Sequence, residues 1–137
     1  MLNAPGASAG PVRVLVVDDN IMNQEILTTI LRYAGYEVTV ANDGRAGFEA
    51  VRDGGHDIVL MDLLMPVMGG IEAEGLIRQL SGRASRIPII AFTAGSIGAD
   101  AESCRRVGMN DFLAKPGGIR QVLQVVAHWT GGDAAVA

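Results

Sequence analysis

The stretch VRVLVVDDN, residues 12–20, decides how the rest of the chain is read. From Val12 to Val17 it is almost continuously aliphatic, as expected of a strand buried on both faces of a parallel sheet. The run then stops on two carboxylates, Asp18 and Asp19, with Asn20 behind them. A buried strand that ends in paired acids directs polar groups to one edge of its sheet.

Working outward, four more short apolar segments occur at residues 37–41, 57–61, 87–92 and 111–114. The spacing between them is helical. Ile26, Leu27, Ile30, Leu31 and Ala34 form one apolar stripe closed by Gly35. Ala46, Phe48, Ala50 and Val51 form a second, opened by Asp43-Gly44 and stopped by Gly54-Gly55. Ile71, Ala73, Leu76, Ile77 and Leu80 predict a third helix, and residues 99–107 a weaker fourth, stopped by Gly108. Ile119, Val122, Leu123, Val126 and Trp129 predict a fifth. Strict alternation of strand and helix is the pattern of an α/β doubly wound (βα)5 parallel sheet. Right-handed crossovers place helices on both faces, and the expected strand order is 2-1-3-4-5. Ligands of such a sheet sit outside the carboxyl ends of its strands.

Four of those ends carry a group that one site would need. The first strand runs into Asp18 and Asp19, the third into Asp62, the fourth ends at Thr93, and Lys115-Pro116 comes directly after the fifth. Three neighbouring carboxylates repel one another, and a hard divalent cation with oxygen ligands relieves them. Mg²⁺ suits best, because it takes one or two carboxylates, keeps several waters and binds phosphate oxygens. A carboxylate also attacks phosphorus to form an aspartyl phosphate, and phosphoryl transfer needs chiefly positioning and neutralised charge. Taken singly, an Asp or Thr after a strand is more often a helix cap, and a Lys before Pro a solvated loop charge. Four strand ends converging on one chemistry outweigh that bland account.

At these residues the chain resembles the receiver domains of two-component signalling, over residues 12–130. The resemblance is carried by LVVDDN, VLMDLLMPVMGG, IIAFTA and GMNDFLAKP, in that order. In style these motifs are more similar to receivers attached to hybrid sensor histidine kinases than to chemotaxis receivers. The resemblance implies a flavodoxin-like fold and a phosphoryl group accepted on Asp62 from a phosphohistidine of a histidine kinase or histidine phosphotransfer protein. It implies Mg²⁺ held by Asp19, by Asp18 through water, by Asp62 and by the backbone carbonyl of Leu64. Thr93 and Lys115 would contact the phosphoryl oxygens. Movement of Thr93 would be coupled to Phe112, switching a face of the fourth helix, fifth strand and fifth helix that includes Arg105, Arg106, Gln121, Val122 and Val125. Such a module catalyses only its own phosphorylation and dephosphorylation, so the resemblance makes it a signalling domain and not an enzyme.

The chain departs from the family pattern in places. Phe112 replaces a tyrosine, which leaves a purely steric switch. Leu64 and Gly95 alter the surroundings of attacking water. Gly69-Gly70 replaces Asp-Gly, with only a local effect expected, and Gly117-Gly118 loosens the loop carrying Lys115. Three rival readings are weaker. A pseudo-receiver that binds a partner constitutively would usually have lost one of the five site residues. A phosphatase of the haloacid dehalogenase type needs Asp-x-Asp where this chain has Asp18-Asp19-Asn20, and a flavin carrier needs a Ser/Thr/Gly-rich first loop.

Composition narrows the rest. The 137 residues carry a formal net charge of −4, which disfavours a nucleic-acid surface. No uncharged apolar run reaches bilayer length. The sole cysteine, Cys104, fits a reducing cytoplasm. Residues 1–11 and 131–137 read as flexible tails around a domain at 12–130. His56 and His128 are expected in surface or capping roles. Met61, Met65 and Met68 are expected to pack as apolar groups.

Overall fold

The computed structural model describes residues 11–63, 67–93, 108–114 and 118–131, excepting the side chains of Thr93 and Ala114. The expected fourth helix, Cys104, Arg105, Arg106 and both tails apart from Pro11 and Gly131 lie outside these residues. Five strands, β1 (Arg13–Val17), β2 (Glu37–Ala41), β3 (Ile58–Met61), β4 (Ile89–Thr93) and β5 (Asp111–Ala114), form one parallel sheet in the order β2-β1-β3-β4-β5. The described helices are α1 (Ile21–Tyr33), α2 (Gly44–Asp53), α3 (Gly70–Arg78) and α4 (Ile119–Thr130), the last being the fifth helix of the sequence pattern. A 3₁₀ turn, Gly82–Arg86, precedes β4. Apolar periodicity carries no sign of it.

Alternating strand residues divide the interior into two layers. Leu15, Val17, Val59, Met61, Ile89 and Ala91 face α2 and α3, packing with Val51, Ala73 and Ile77. Val14, Val16, Ile58, Leu60, Ile90 and Leu113 face the other way, against Leu27 and Leu31 of α1 and Val122 and Val126 of α4. β1 and β3, covered on both sides, are therefore aliphatic at every buried position. β4 starts at Ile89, two residues later than its apolar run, because Pro88 has no N–H for the ladder; its carbonyl still accepts from Val59 N at 2.9 Å.

The caps reflect residue chemistry. Asn20 accepts from Asn23 N at 2.9 Å and starts α1, and Asp43 accepts from Ala46 N at 2.8 Å and starts α2. Gly54 ends α2 at φ 91°, a conformation open to glycine.

The helix stripes need correction. Ile26 is 52% exposed and Ile119 61%, whereas Glu74 of α3 is buried at 1%. Glu74 is tolerated there because Arg78, one turn on, donates to its Oε2 at 3.1 Å. The guanidinium also donates to the carbonyls of Ser85, Ile87 and Gly108 and to Asn110 Oδ1, at 2.7–3.2 Å. One side chain thereby ties α3 to the segments leading into β4 and β5. Val122, expected on an interaction face, is 1% exposed and belongs to the core, while Gln121 is exposed and Val125 half-buried.

Candidate functional site

Parallel pairing puts β1 between β2 and β3, and the ladder continues past the strand ends. Asp18 N donates to Ala41 O of β2 at 3.1 Å, and Asp62 N donates to Val17 O of β1 at 2.9 Å. Two extra rungs thus hold both residues level at the carboxyl edge of the sheet. Asp18 and Asp62 are buried, at 2% and 6% exposure, and Asp19 is exposed. Carboxylate oxygens of the three lie within 4.8 Å of one another. It is the sole cluster of three or more acid, histidine or cysteine side chains so placed among the described residues.

The turn that carries the first two acids is closely tied. Asp18 Oδ1 accepts from Asn20 N at 2.9 Å, and Asn20 O accepts from Gln24 N at 3.0 Å as α1 begins. The Gln24 side-chain amide donates to Asp18 O at 2.5 Å and to Asn42 Oδ1 at 2.8 Å. Nothing in the sequence marks Gln24 for this part, because a polar residue on the first turn of a helix carries no distinctive signal.

Two glycines keep the Asp62 loop close. A Cβ on Gly70 would stand 2.2 Å from Asp62 O, and one on Gly44 2.3 Å from Met68 O. Gly70 N donates to Leu63 O and Gly44 N to Met68 O, both at 3.0 Å, so backbone packs directly on backbone there. Gly69 is the N-cap of α3 and has no side chain with which to cap it. Val67, a β-branched residue at φ 68°, marks the same loop as strained.

The other expected site residues are placed in part. Thr93 ends β4 and pairs in register with Ala114, the last residue of β5. Lys115 comes next in the chain and, with Leu64, Met65, Gly95 and Gly117, lies outside the described residues. Phe112 is half-buried and packs toward the α2–α3 layer. Asp111 beside it accepts from Phe112 N at 2.8 Å and from Trp129 Nε1 of α4 at 2.8 Å. His56 sits at the opposite end of β3 from Asp62. Burial and the nearby Arg13 charge lower its pKa, which keeps it neutral at pH 7. His128 is exposed and meets Trp129 edge-on at 5.0 Å.

The donor set fits Mg²⁺. All three side chains offer hard oxygen, without nitrogen or sulfur, and Mg²⁺ favours such ligands while keeping waters. Ligands across one Mg²⁺ stand about 4 Å apart, so oxygens already within 4.8 Å of one another need little movement.

Residues 14–127 match the family described as response regulator receiver domain. The sensor protein GacS of Pseudomonas syringae pv. syringae is 40% identical over 129 residues, covering 93% of this chain, which spans only 14% of that relative. The receiver domain of sensor histidine kinase PA1611 from Pseudomonas aeruginosa PAO1, solved with a magnesium ion coordinated in its active site cleft, superposes with a TM-score of 0.82. It is 36% identical, over 90% of this chain and 100% of that one. The receiver domain of Ssk1 from Saccharomyces cerevisiae, co-crystallised with the histidine phosphotransfer signaling protein Ypd1, gives 0.80. It is 29% identical, over 89% and 90% of the two chains.

Proposed function

The chain belongs to the response regulator receiver domain family, and on that premise we propose that it accepts a phosphoryl group on Asp62 with the help of Mg²⁺. The observation that carries the reading is the gathering of Asp18, Asp19 and Asp62 at the switch point between β1 and β3. Asp19, Asp62 and the Leu64 carbonyl would hold the metal, with Asp18 acting through water. Bound there, the ion supplies neutralising charge on the phosphoryl oxygens. Asp62 is the nucleophile: one carboxylate oxygen bonds to phosphorus as the P–N bond of the donor phosphohistidine breaks, and its electron pair leaves on the imidazole nitrogen. Thr93 ends β4 beside the last residue of β5, Lys115 follows that residue in the chain, and both would bind the transferred group. Their closure, with Phe112 turning inward, would bias the face around β5 and α4 toward a downstream protein.

The donor surface is also proposed. Ile21, Met22 and Ile26 of α1 and Ile119 of α4 are 52–70% exposed. Met22, Ile26 and Ile119 line a groove of about 430 Å³ whose first lining residue, Met22, is three positions after Asp19. An apolar patch on the helix that follows the acidic turn suits a helical histidine phosphotransfer domain, which must bring its histidine to Asp62 while excluding water. With phosphohistidine-charged Ypd1 as probe, Met22→Glu combined with Ile26→Glu is expected to slow transfer roughly tenfold or more relative to wild type. Unchanged transfer rates would move the docking surface elsewhere.

The phosphorylation itself is tested by intact mass after incubation with a small phosphodonor. One phosphoryl group is expected with Mg²⁺ and none after chelation by EDTA. Absence of any adduct under rapid quench would favour a constitutive binding module instead.

A further inference from the structure

We propose that Gln24 is a positioning residue for the metal site, setting the peptide plane between Asp18 and Asp19 and thereby the affinity for the cation. The inference rests on the proposed role of the acidic trio in holding Mg²⁺. β1 ends at Val17, and the Asp18 amide donates one more ladder bond on that side, to Ala41 O, where β2 ends in turn. The Asp18 carbonyl is held by Gln24 Nε2 at 2.5 Å, while the second proton of the same amide goes to Asn42 Oδ1 at 2.8 Å. Asn42 comes directly after β2 and precedes Asp43, the cap of α2. One half-buried side chain from the first turn of α1 thus braces the ends of two adjacent strands.

That carbonyl belongs to the peptide joining the two acids. Rotating its plane swings the Cα of Asp19, the exposed member of the trio, relative to buried Asp18 and Asp62. Asp18 is braced twice more, by the Asp18 N–Ala41 O rung and by Asn20 N on its Oδ1. Removing the Gln24 contact therefore loosens Asp19 more than Asp18. Groups that orient metal ligands from outside the coordination sphere typically change metal affinity about 10–100-fold when removed. Gln24 braces a backbone carbonyl and not a carboxylate, so the lower end of that range applies.

The test is titration of MgCl₂ into wild type, Gln24→Leu, Asn42→Ala and Ile77→Val, monitored by amide chemical shifts, with urea stability measured on each. Ile77 lies in the α2–α3 layer away from the turn, so Ile77→Val lowers stability without touching the brace. Gln24→Leu is expected to bind Mg²⁺ about tenfold more weakly than wild type. Asn42→Ala, which removes one of the two bonds, shifts affinity in the same direction by less, and Ile77→Val keeps wild-type affinity. If Gln24→Leu loses stability like Ile77→Val yet binds Mg²⁺ as wild type does, the side chain is only structural and the inference is overturned. If Gln24→Leu does not fold, unchanged affinity in Asn42→Ala overturns it. Wild type that shows no Mg²⁺-dependent shifts would overturn the reading of the metal site itself, and the inference with it.

Discussion

Asp62→Asn is expected to abolish phosphoryl incorporation completely, while leaving the metal-free protein at least as stable as wild type. The carboxamide keeps the size of the side chain and removes the nucleophilic oxygen anion, so no acyl phosphate can form. The opposite sign for stability comes from charge. Three carboxylates have oxygens within 4.8 Å, and two of the residues are buried. A like-charge pair about 4 Å apart at an effective dielectric of 20 repels by roughly 4 kcal/mol before hydrogen bonds and counter-charges offset it. Neutralising one member is therefore expected to raise urea stability without Mg²⁺ by about 1 kcal/mol. The same substitution reduces the stabilisation that MgCl₂ confers on wild type, because a ligand that binds only the native state raises its stability by mass action. A phosphoryl adduct persisting in Asp62→Asn would place the acceptor on another side chain. Loss of stability on substitution would show that Asp62 acts mainly as a structural anchor.

Arg78→Met is expected to have the largest effect on stability, about 3–5 kcal/mol by urea denaturation. Removing the guanidinium leaves Glu74, 1% exposed, as a buried acid without its partner, and deprives four further oxygens of a donor. Methionine preserves much of the aliphatic stem, so the loss is chiefly electrostatic. The pH dependence supplies the discriminating test. Burial raises the pKa of Glu74, and the Arg78 charge and hydrogen bond oppose that rise. Native Glu74 therefore holds its proton to higher pH than the unfolded chain does. The stability that this contributes is complete below the unfolded pKa and is lost as pH rises through the folded one. Without Arg78 the folded pKa climbs further, so the deficit of Arg78→Met should shrink as pH falls from 7 toward about 5. Pairing Arg78→Met with Glu74→Leu should recover part of the loss at pH 7, since the buried charge is then gone. A deficit under about 1 kcal/mol and flat with pH would show that water reaches Glu74 and solvates it.

The chain is a member of the receiver domain family and spans 14% of the length of the GacS relative. None of the described helices is long and apolar enough to cross a membrane. Single polar side chains join its elements. Asp111 illustrates this: one carboxylate accepts from the amide of Phe112 on β5 and from Trp129 on α4, so the strand and the helix share an anchor next to the proposed switch residue.

The strands, their order and the acidic trio could be read from the sequence alone, because their causes are local or topological. A strand buried on both faces must be apolar throughout its buried length, as VLVV (residues 14–17) and IVLM (residues 58–61) are, and the residues that come after such a strand lie at the carboxyl edge. Asp43 announced the start of α2 by the same local chemistry. Tertiary structure decided the rest. The α1 stripe could not show that Ile26 faces outward beside Met22, because a helix's buried arc depends on where its neighbours lie. The apolar stripe of the fifth helix includes Val122, and the sheet buries it, so the resemblance was wrong to set it on an interaction face. Glu74 reads as a surface acid until Arg78 folds over it, and Gln24 reads as an ordinary helix residue until the ends of β1 and β2 come within its reach. Periodicity records how often a position repeats along one element. Which groups meet across elements depends on the distances that folding creates.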